Sequence, residues 1–283
     1  MFEKENYVLL LGYSLDLGGG VSKVTNTVCH NIHYIKPHPF LFCYHPMIKS
    51  IFQTAVSFFS FCLSLFKSPP KILHVVIGSK GDLFRTIPFI LMGRLRKCKI
   101  CVQYHKSLDV ILTSLPKNQQ NFIYKIWQKV DSFVFLSTCL RNEFLAIFSY
   151  QADTHIIPNV LNGRWYERQV KPISERSKDV VFLGRWSHEK GVHDLVSLFS
   201  ELKNIQCHVY TNDASSQPLT NMHFHSWVPE EEVKNILSDS KVLILPSYAE
   251  AYPTVLLEAA ASGTPFVATS IAGIPDIAEE SQA

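Results

Sequence analysis

The sequence has no apolar run long enough to cross a bilayer. Its most hydrophobic stretch, residues 51–66, has 16 residues, short of the roughly 20 that a spanning helix needs. Gln53, Ser57, Ser60 and Ser64 recur at helical spacing along one side of it, which predicts a packed amphipathic helix. The opening Met1-Phe2-Glu3-Lys4-Glu5-Asn6 lacks the basic start and cleavage site of a signal peptide, so export is not expected and a cytoplasmic location is. Asp-x-Asp does not occur, and His30, His33, His38 and His45 have no organised carboxylate beside them, so no metal site is expected. Seven cysteines, at 29, 43, 62, 98, 101, 139 and 207, are odd in number and widely spaced. That excludes the framework of a small secreted domain and predicts reduced thiols. Cys98 and Cys101 fall on opposite faces of a predicted strand, which argues against a redox or zinc pair. No repeat period or low-complexity tract is present, and 47% hydrophobic against 18% charged residues excludes a disordered or fibrous chain.

What is present points to two domains, since 283 residues is about twice a common domain length. The formal charge of +3 conceals a split: residues 1–165 hold 18 Lys/Arg and 8 Asp/Glu, whereas residues 166–283 hold 9 and 16. The basic half suits an anionic surface, a phosphorylated substrate or nucleic acid. It carries no nucleic-acid recognition motif and its aromatics fit strands and core helices, so nucleic acid is not expected as a partner. Arg94, Arg96, Lys97 and Lys99 follow an apolar helical pattern and suggest peripheral attachment to an anionic inner leaflet or to a lipid-linked acceptor.

Strand-like runs at 7–11, 40–44, 72–77, 99–104, 133–136 and 154–157 alternate with helical patterns at 21–32, 49–66, 82–96, 119–130 and 138–148. Such repeated βα units imply a parallel, doubly wound sheet. Residues 162–178 break the pattern and read as an interdomain linker. Alternation then restarts, with strands at 179–183, 206–210, 242–245 and 265–268 and helices at 191–202, 230–238 and 254–262. The expected fold is therefore α/β, with Rossmann-like domains over 1–165 and 166–283 facing across a cleft and ligands at the carboxyl ends of the strands. Few residues follow Gly273-Ile274-Pro275-Asp276-Ile277, so the second domain is expected to be incomplete at its C-terminus.

Three clusters could carry chemistry. Leu17-Gly18-Gly19-Gly20-Val21-Ser22-Lys23 opens a helix after the first strand, where glycines let backbone amides approach a phosphate or sugar, although a tight turn without ligand explains them equally. Gly184-Arg185-Trp186-Ser187-His188-Glu189-Lys190-Gly191 places two cations between a strand and a helix. Arg185 offers a planar donor fork and Lys190 a mobile point charge, a pair suited to a diphosphate leaving group. The plainer reading is that Lys190 pairs with Glu189 or another acid. In Pro246-Ser247-Tyr248-Ala249-Glu250-Ala251-Tyr252-Pro253-Thr254-Val255-Leu256-Leu257-Glu258, Glu250 lies in a loop and Glu258 a turn into the following helix. Both can meet one ligand, one on sugar hydroxyls and the other on a ribose diol, and the amides of Thr254 and Val255 could meet phosphate.

Gly-Arg-x4-Lys-Gly at 184–191, Glu-x7-Glu at 250–258 and the tail Ala259-Ala260-Ala261-Ser262-Gly263-Thr264-Pro265-Phe266-Val267-Ala268-Thr269, with Gly273-Ile274-Pro275 beyond, resemble the retaining GT-B glycosyltransferases of family 4, the group 1 glycosyl transferases. Gly19-Gly20-Val21, His105 and Ile157-Pro158-Asn159 fall in the same order, so the resemblance covers nearly the whole chain, apparently truncated at its C-terminus. It implies transfer of a sugar from a nucleotide diphosphate sugar to a glycan or lipid-linked acceptor, without metal or other cofactor. By the same resemblance Arg185 and Lys190 hold the phosphates, Glu250 the sugar and Glu258 the ribose, with Tyr252, Thr254 and Val255 beside the donor. Gly19 and Gly20 would approach the diphosphate from the first domain and His105 would lie near the transferred sugar. Ala251 replaces the family's usual glycine, and Val209-Tyr210-Thr211-Asn212-Asp213 lacks the glycines common in that loop. Two other functions remain open on these residues: a truncated, inactive chain that binds nucleotide or a partner, and a GT-B sugar-nucleotide epimerase.

Overall fold

The computed structural model describes residues 7–12, 29, 35–37, 47–67, 69–106, 112–148, 152–166, 170–212 and 219–281. The chain divides into two compact units, Met1–Asn159 and Val160–Ala283. In the first, β1 (Val8–Leu11), β2 (Ile35–Pro37), β3 (Ile72–Ile77), β4 (Lys99–Tyr104), β5 (Ser132–Phe135) and β6 (Asp153–Ile156) form a parallel sheet in the order β2-β1-β3-β4-β5-β6. In the second, β7 (Lys178–Leu183), β8 (Cys207–Tyr210), β9 (Met222–His225), β10 (Ser240–Leu245) and β11 (Phe266–Ala268) form a parallel sheet in the order β11-β10-β7-β8-β9. Both orders reverse in mid-sheet, as in doubly wound folds. The strand expected at 40–44 and the glycine cluster with its helix at 21–32, apart from Cys29, lie outside the described residues.

The described helices are α1 (Met47–Lys67), α2 (Lys80–Leu95), α3 (Lys117–Trp127), α4 (Thr138–Ile147), α5 (Val192–Glu201), α6 (Glu230–Ser238), α7 (Thr254–Ala261) and α8 (Ile274–Ser281). Local chemistry starts several of them. Ser79 and Ser137 cap α2 and α4 by accepting from the N–H groups of Asp82 and Leu140, and three glutamates fill the first turn of α6, where the helix dipole favours negative charge. The core of the first unit is aromatic. Tyr104, Trp127, Phe133, Phe135, Phe144 and Phe148 pack with ring centroids 4.6–6.4 Å apart where neighbours meet. In the second unit Phe182, Val192, Leu195, Phe199, Cys207, Val209, Met222 and Ile244 fill the space between α5 and the sheet, so alternate side chains of β8 and β9 point inward.

Four findings differ from the sequence reading or add to it. β9 joins the second sheet as an edge strand, and α8 forms over residues where no helix was expected. The described residues of 162–178, read from the sequence as an interdomain linker, include packed ones. Trp165 is buried in a 3-10 turn (Gly163–Tyr166) and donates its indole N–H to Glu230 Oε1 (2.8 Å), and Arg176 is buried against the carbonyls of Lys171, Ser240 and Gly263 (2.8–2.9 Å). The expected boundary after residue 165 thus falls inside that turn. Finally, no described helix is long and apolar enough to cross a membrane, but the amphipathic pattern of α1 is turned an unexpected way round. Ser57 is buried and Ser64 Oγ donates to the Phe61 carbonyl (2.8 Å), whereas Ala55, Phe59 and Leu63 are exposed.

The amino-terminal edge of the second sheet is stapled by Asp239. Its carboxylate meets Lys171 Nζ (2.5 Å), Lys178 Nζ (3.0 Å), the Ser177 N–H (3.2 Å) and the Ser177 hydroxyl. Burial raises the Asp239 pKa, but the bonds from Lys171, Ser177 and Lys178 outweigh it and hold the carboxyl well below the usual carboxylate range. A depressed carboxyl stabilises the fold above its unfolded pKa of about 3.9 and loses that contribution as pH falls through the folded value. Asp239→Asn should lower stability at neutral pH by about 1 kcal/mol, discounted for partial exposure. It should also flatten the loss of thermal stability between about pH 5 and pH 3. Scanning calorimetry across that range measures both, and an unchanged pH dependence would remove Asp239 from this role.

Candidate functional site

In the second sheet the strand following β7 in sequence lies on one side of it, and the strand following β10 lies on the other. β7 and β10 are paired neighbours, so the chain leaves in opposite directions from their carboxyl ends and opens a crevice there, the usual ligand position in open parallel sheets. Residues 184–191 join β7 to α5 and residues 246–253 join β10 to α7. These connections hold the two charge-bearing motifs of the second half.

The loops are fastened by their backbones. Gly191 has φ +69°, and a Cβ there would stand 1.8 Å from the Pro246 carbonyl oxygen, so both the left-handed conformation and the close approach require glycine. The Glu189 carbonyl accepts the N–H groups of Tyr248 (2.9 Å) and Ala249 (3.4 Å). On the other flank the Ala251 carbonyl accepts the Gly273 N–H (2.9 Å), and the Thr269 hydroxyl donates to the Ser247 carbonyl (2.5 Å). Buried Tyr252 donates its hydroxyl to Glu280 Oε2 on α8 (3.2 Å). Burial first, then Glu280 and Asp276, push its phenol well above the usual range, so it stays protonated and acts as a strut.

Within this frame Lys190 Nζ meets Glu250 Oε1 at 2.5 Å, with side chains 18% and 9% exposed, and Ser247 Oγ donates to the same oxygen at 2.7 Å. Of the alternatives the sequence left for Lys190, pairing with an acid holds, but the acid is Glu250 and not its neighbour Glu189. Arg185 is exposed on the same loop, 4.0 Å from Glu189 Oε2. Thr254 and Val255 begin α7 behind Pro253, which makes no side-chain cap, so their amides stand at an uncapped amino end. Glu258 is buried one turn further along α7. His105 follows β4 in the first unit, its N–H bonded to the Ile77 carbonyl (2.9 Å). Desolvation, with His74 adding repulsion, pushes its imidazole down to about 3. Gly19 and Gly20 lie outside the described residues.

The sequence reading passed over several contributors. Ser247 orients Glu250, and Tyr248 donates to Asp194 Oδ2 (2.6 Å) with its ring 5.1 Å from that of His188. Ser187 Oγ is buried with no hydrogen-bond partner among the described residues. Only Ser247 carried a signal, a hydroxyl three positions before a loop carboxylate.

This pattern has counterparts. Residues 163–283 match the family model of glycosyl transferases group 1. Glycogen synthase from Mycobacterium tuberculosis is 26% identical over 160 residues, 51% of this chain and 38% of that protein. N-acetyl-alpha-D-glucosaminyl L-malate synthase from Bacillus anthracis is 25% identical over 224 residues, 73% of this chain and 58% of its own length. The chain therefore spans less than two thirds of these curated relatives. Among solved structures, Anabaena HepE in complex with UDP superposes with a TM-score of 0.69 at 12% identity, covering 95% of this chain and 82% of that one. The likeness shows the fold, two Rossmann-like domains of the GT-B class.

Two outcomes follow from this geometry. Gly191→Ala should cost about 3 kcal/mol, combining a left-handed penalty with displacement of the Pro246 backbone, and urea unfolding measures it; a loss below about 1 kcal/mol would show that the loops are not locked there. His105 should remain neutral between about pH 5 and pH 8, so its ring resonances should not titrate in NMR spectra over that interval.

Proposed function

We propose that the chain is a retaining glycosyltransferase that moves a sugar from a nucleotide diphosphate sugar to a glycan or lipid-linked acceptor. The observation that carries this reading is the Lys190–Glu250 pair at the crevice between β7 and β10, in a segment that matches group 1 glycosyl transferases. When the donor binds, Lys190 turns from Glu250 to the diphosphate, joined by Arg185 and by the amides of Thr254 and Val255. Glu250 then accepts from sugar hydroxyls, oriented by Ser247, and Glu258 accepts from the ribose diol. The buried Ser187 hydroxyl gains a partner in the ligand, removing a desolvation cost of about 1–3 kcal/mol.

The sugar C1–O bond to the diphosphate breaks as charge develops on the leaving oxygen, which Arg185 and Lys190 stabilise. The acceptor hydroxyl attacks C1 on the face the diphosphate leaves and gives its proton to the departing oxygen. On this reading the first unit takes the acceptor. With two cations on the leaving group the transfer needs no metal.

Lys190→Ala should fold normally and lose transfer by about 10²–10³-fold, measured against a panel of UDP-, GDP- and ADP-sugars that also identifies the donor. Chelator should leave the wild-type rate unchanged. Turnover in Lys190→Ala equal to wild type would exclude the assignment.

A further inference from the structure

α1 and α2 run side by side. Phe58 and Phe61 pack on Phe89 with centroids 5.3 and 5.2 Å away, and towards the carboxyl ends of both helices Arg96, which caps α2, donates from Nη2 to the Leu65 carbonyl (3.2 Å), so both helices point the same way. Their buried sides are accounted for by Phe61, Leu65, Leu83, Phe89 and Ile90. Their outer sides are also apolar. On α1 Phe59 is 67% and Leu63 50% exposed; on α2 Phe84, Leu91 and Leu95 form a stripe that ends with Leu95 at 74%. A helix that is apolar on both sides is ordinarily covered on both.

Charge identifies the cover. No Asp or Glu occurs between Asp16 and Asp82, and Asp82 itself is buried in the first turn of α2. The stripes end beside exposed Lys71, Arg96, Lys97 and Lys99, with the Lys99 N–H bonded to the Lys71 carbonyl (3.0 Å). The nearby carboxylate of Asp131 is taken by Arg94 in two bonds of 2.9 and 3.0 Å. We propose that the outer face of α1 and α2 docks on an anionic lipid bilayer, Phe59, Leu63, Leu91 and Leu95 entering the headgroup boundary while the basic cluster meets the lipid phosphates. The proposal rests on the first unit alone and stands or falls independently of sugar transfer.

The test is flotation of the full chain with vesicles of phosphatidylcholine, or of equal parts phosphatidylcholine and phosphatidylglycerol, at about 50 mM and about 500 mM salt. The wild-type protein should float with the anionic vesicles at low salt only. Phe59→Ser with Leu95→Ser, and separately Lys71→Glu with Lys99→Glu, should each reduce the bound fraction about tenfold with unchanged thermal melts. Equal binding to both vesicle types, or no loss in the variants, would overturn the proposal. So would a wild-type dimer that Phe59→Ser with Leu95→Ser converts to monomer, since that would give the face to a second copy of the chain.

Discussion

Everything at the carboxyl edge of the second sheet hangs on one close approach, that of Gly191 to the Pro246 carbonyl. No side chain fits between them, and the Glu189 carbonyl holds the N–H of Tyr248 beside the same point. Lys190 immediately precedes the glycine, and Glu250 follows the proline by four residues. Backbone geometry therefore brings the two charges together before side-chain attraction contributes. The left-handed residue after Lys190 fixes where its Cα stands and leaves the side chain its rotamers, so the ammonium can exchange Glu250 for another anion.

The two edges of this sheet are organised in opposite ways. At the amino edge, Arg176 satisfies carbonyls from three segments and Asp239 collects Lys171, Lys178 and Ser177. Those groups are occupied by one another and serve stability. The connections at the carboxyl edge carry a nearly buried ion pair, a Ser187 hydroxyl without a partner among the described residues and the uncapped start of α7. Burying charge with only partial compensation is a poor route to stability, and unpaired polar atoms add to its cost. The carboxyl edge therefore holds charge that contributes little to stability, whereas the amino edge is held by its ion pairs.

Much of this was legible in the sequence because strands such as β3, β5, β7 and β10 are short, largely apolar runs between punctuating residues. β3, β4 and α6 fall on the expected residues, and the alternation of strands and helices gave both sheets their parallel character. β9 escaped because Met222-His223-Phe224-His225 is half polar and sits at an edge, with only Met222 and Phe224 turned to the core. α8 escaped because it is short and opens on a proline; Pro275 occupies its first turn, where the missing N–H is not needed. At the site, charge and spacing marked Lys190 and Glu250 separately. Their pairing was not legible, because a contact across 60 residues depends on which strands are neighbours.

α1 shows where periodicity reaches its limit. A serine stripe and an apolar stripe have the same repeat, and the repeat alone does not say which one faces water. Serine is short enough to return its hydroxyl to a carbonyl of the preceding turn, as Ser64 does to Phe61, so it can be buried without an unsatisfied donor. Lysine and glutamate cannot do this, which makes charge the reliable marker of a solvated face. α1 has no charged residue between Lys49 and Lys67, so nothing in its pattern required the serines to face outward. The core selected its partner by shape, taking Phe58, Phe61 and Leu65 against Phe89, and Phe59 and Leu63 were left on the outside as a consequence.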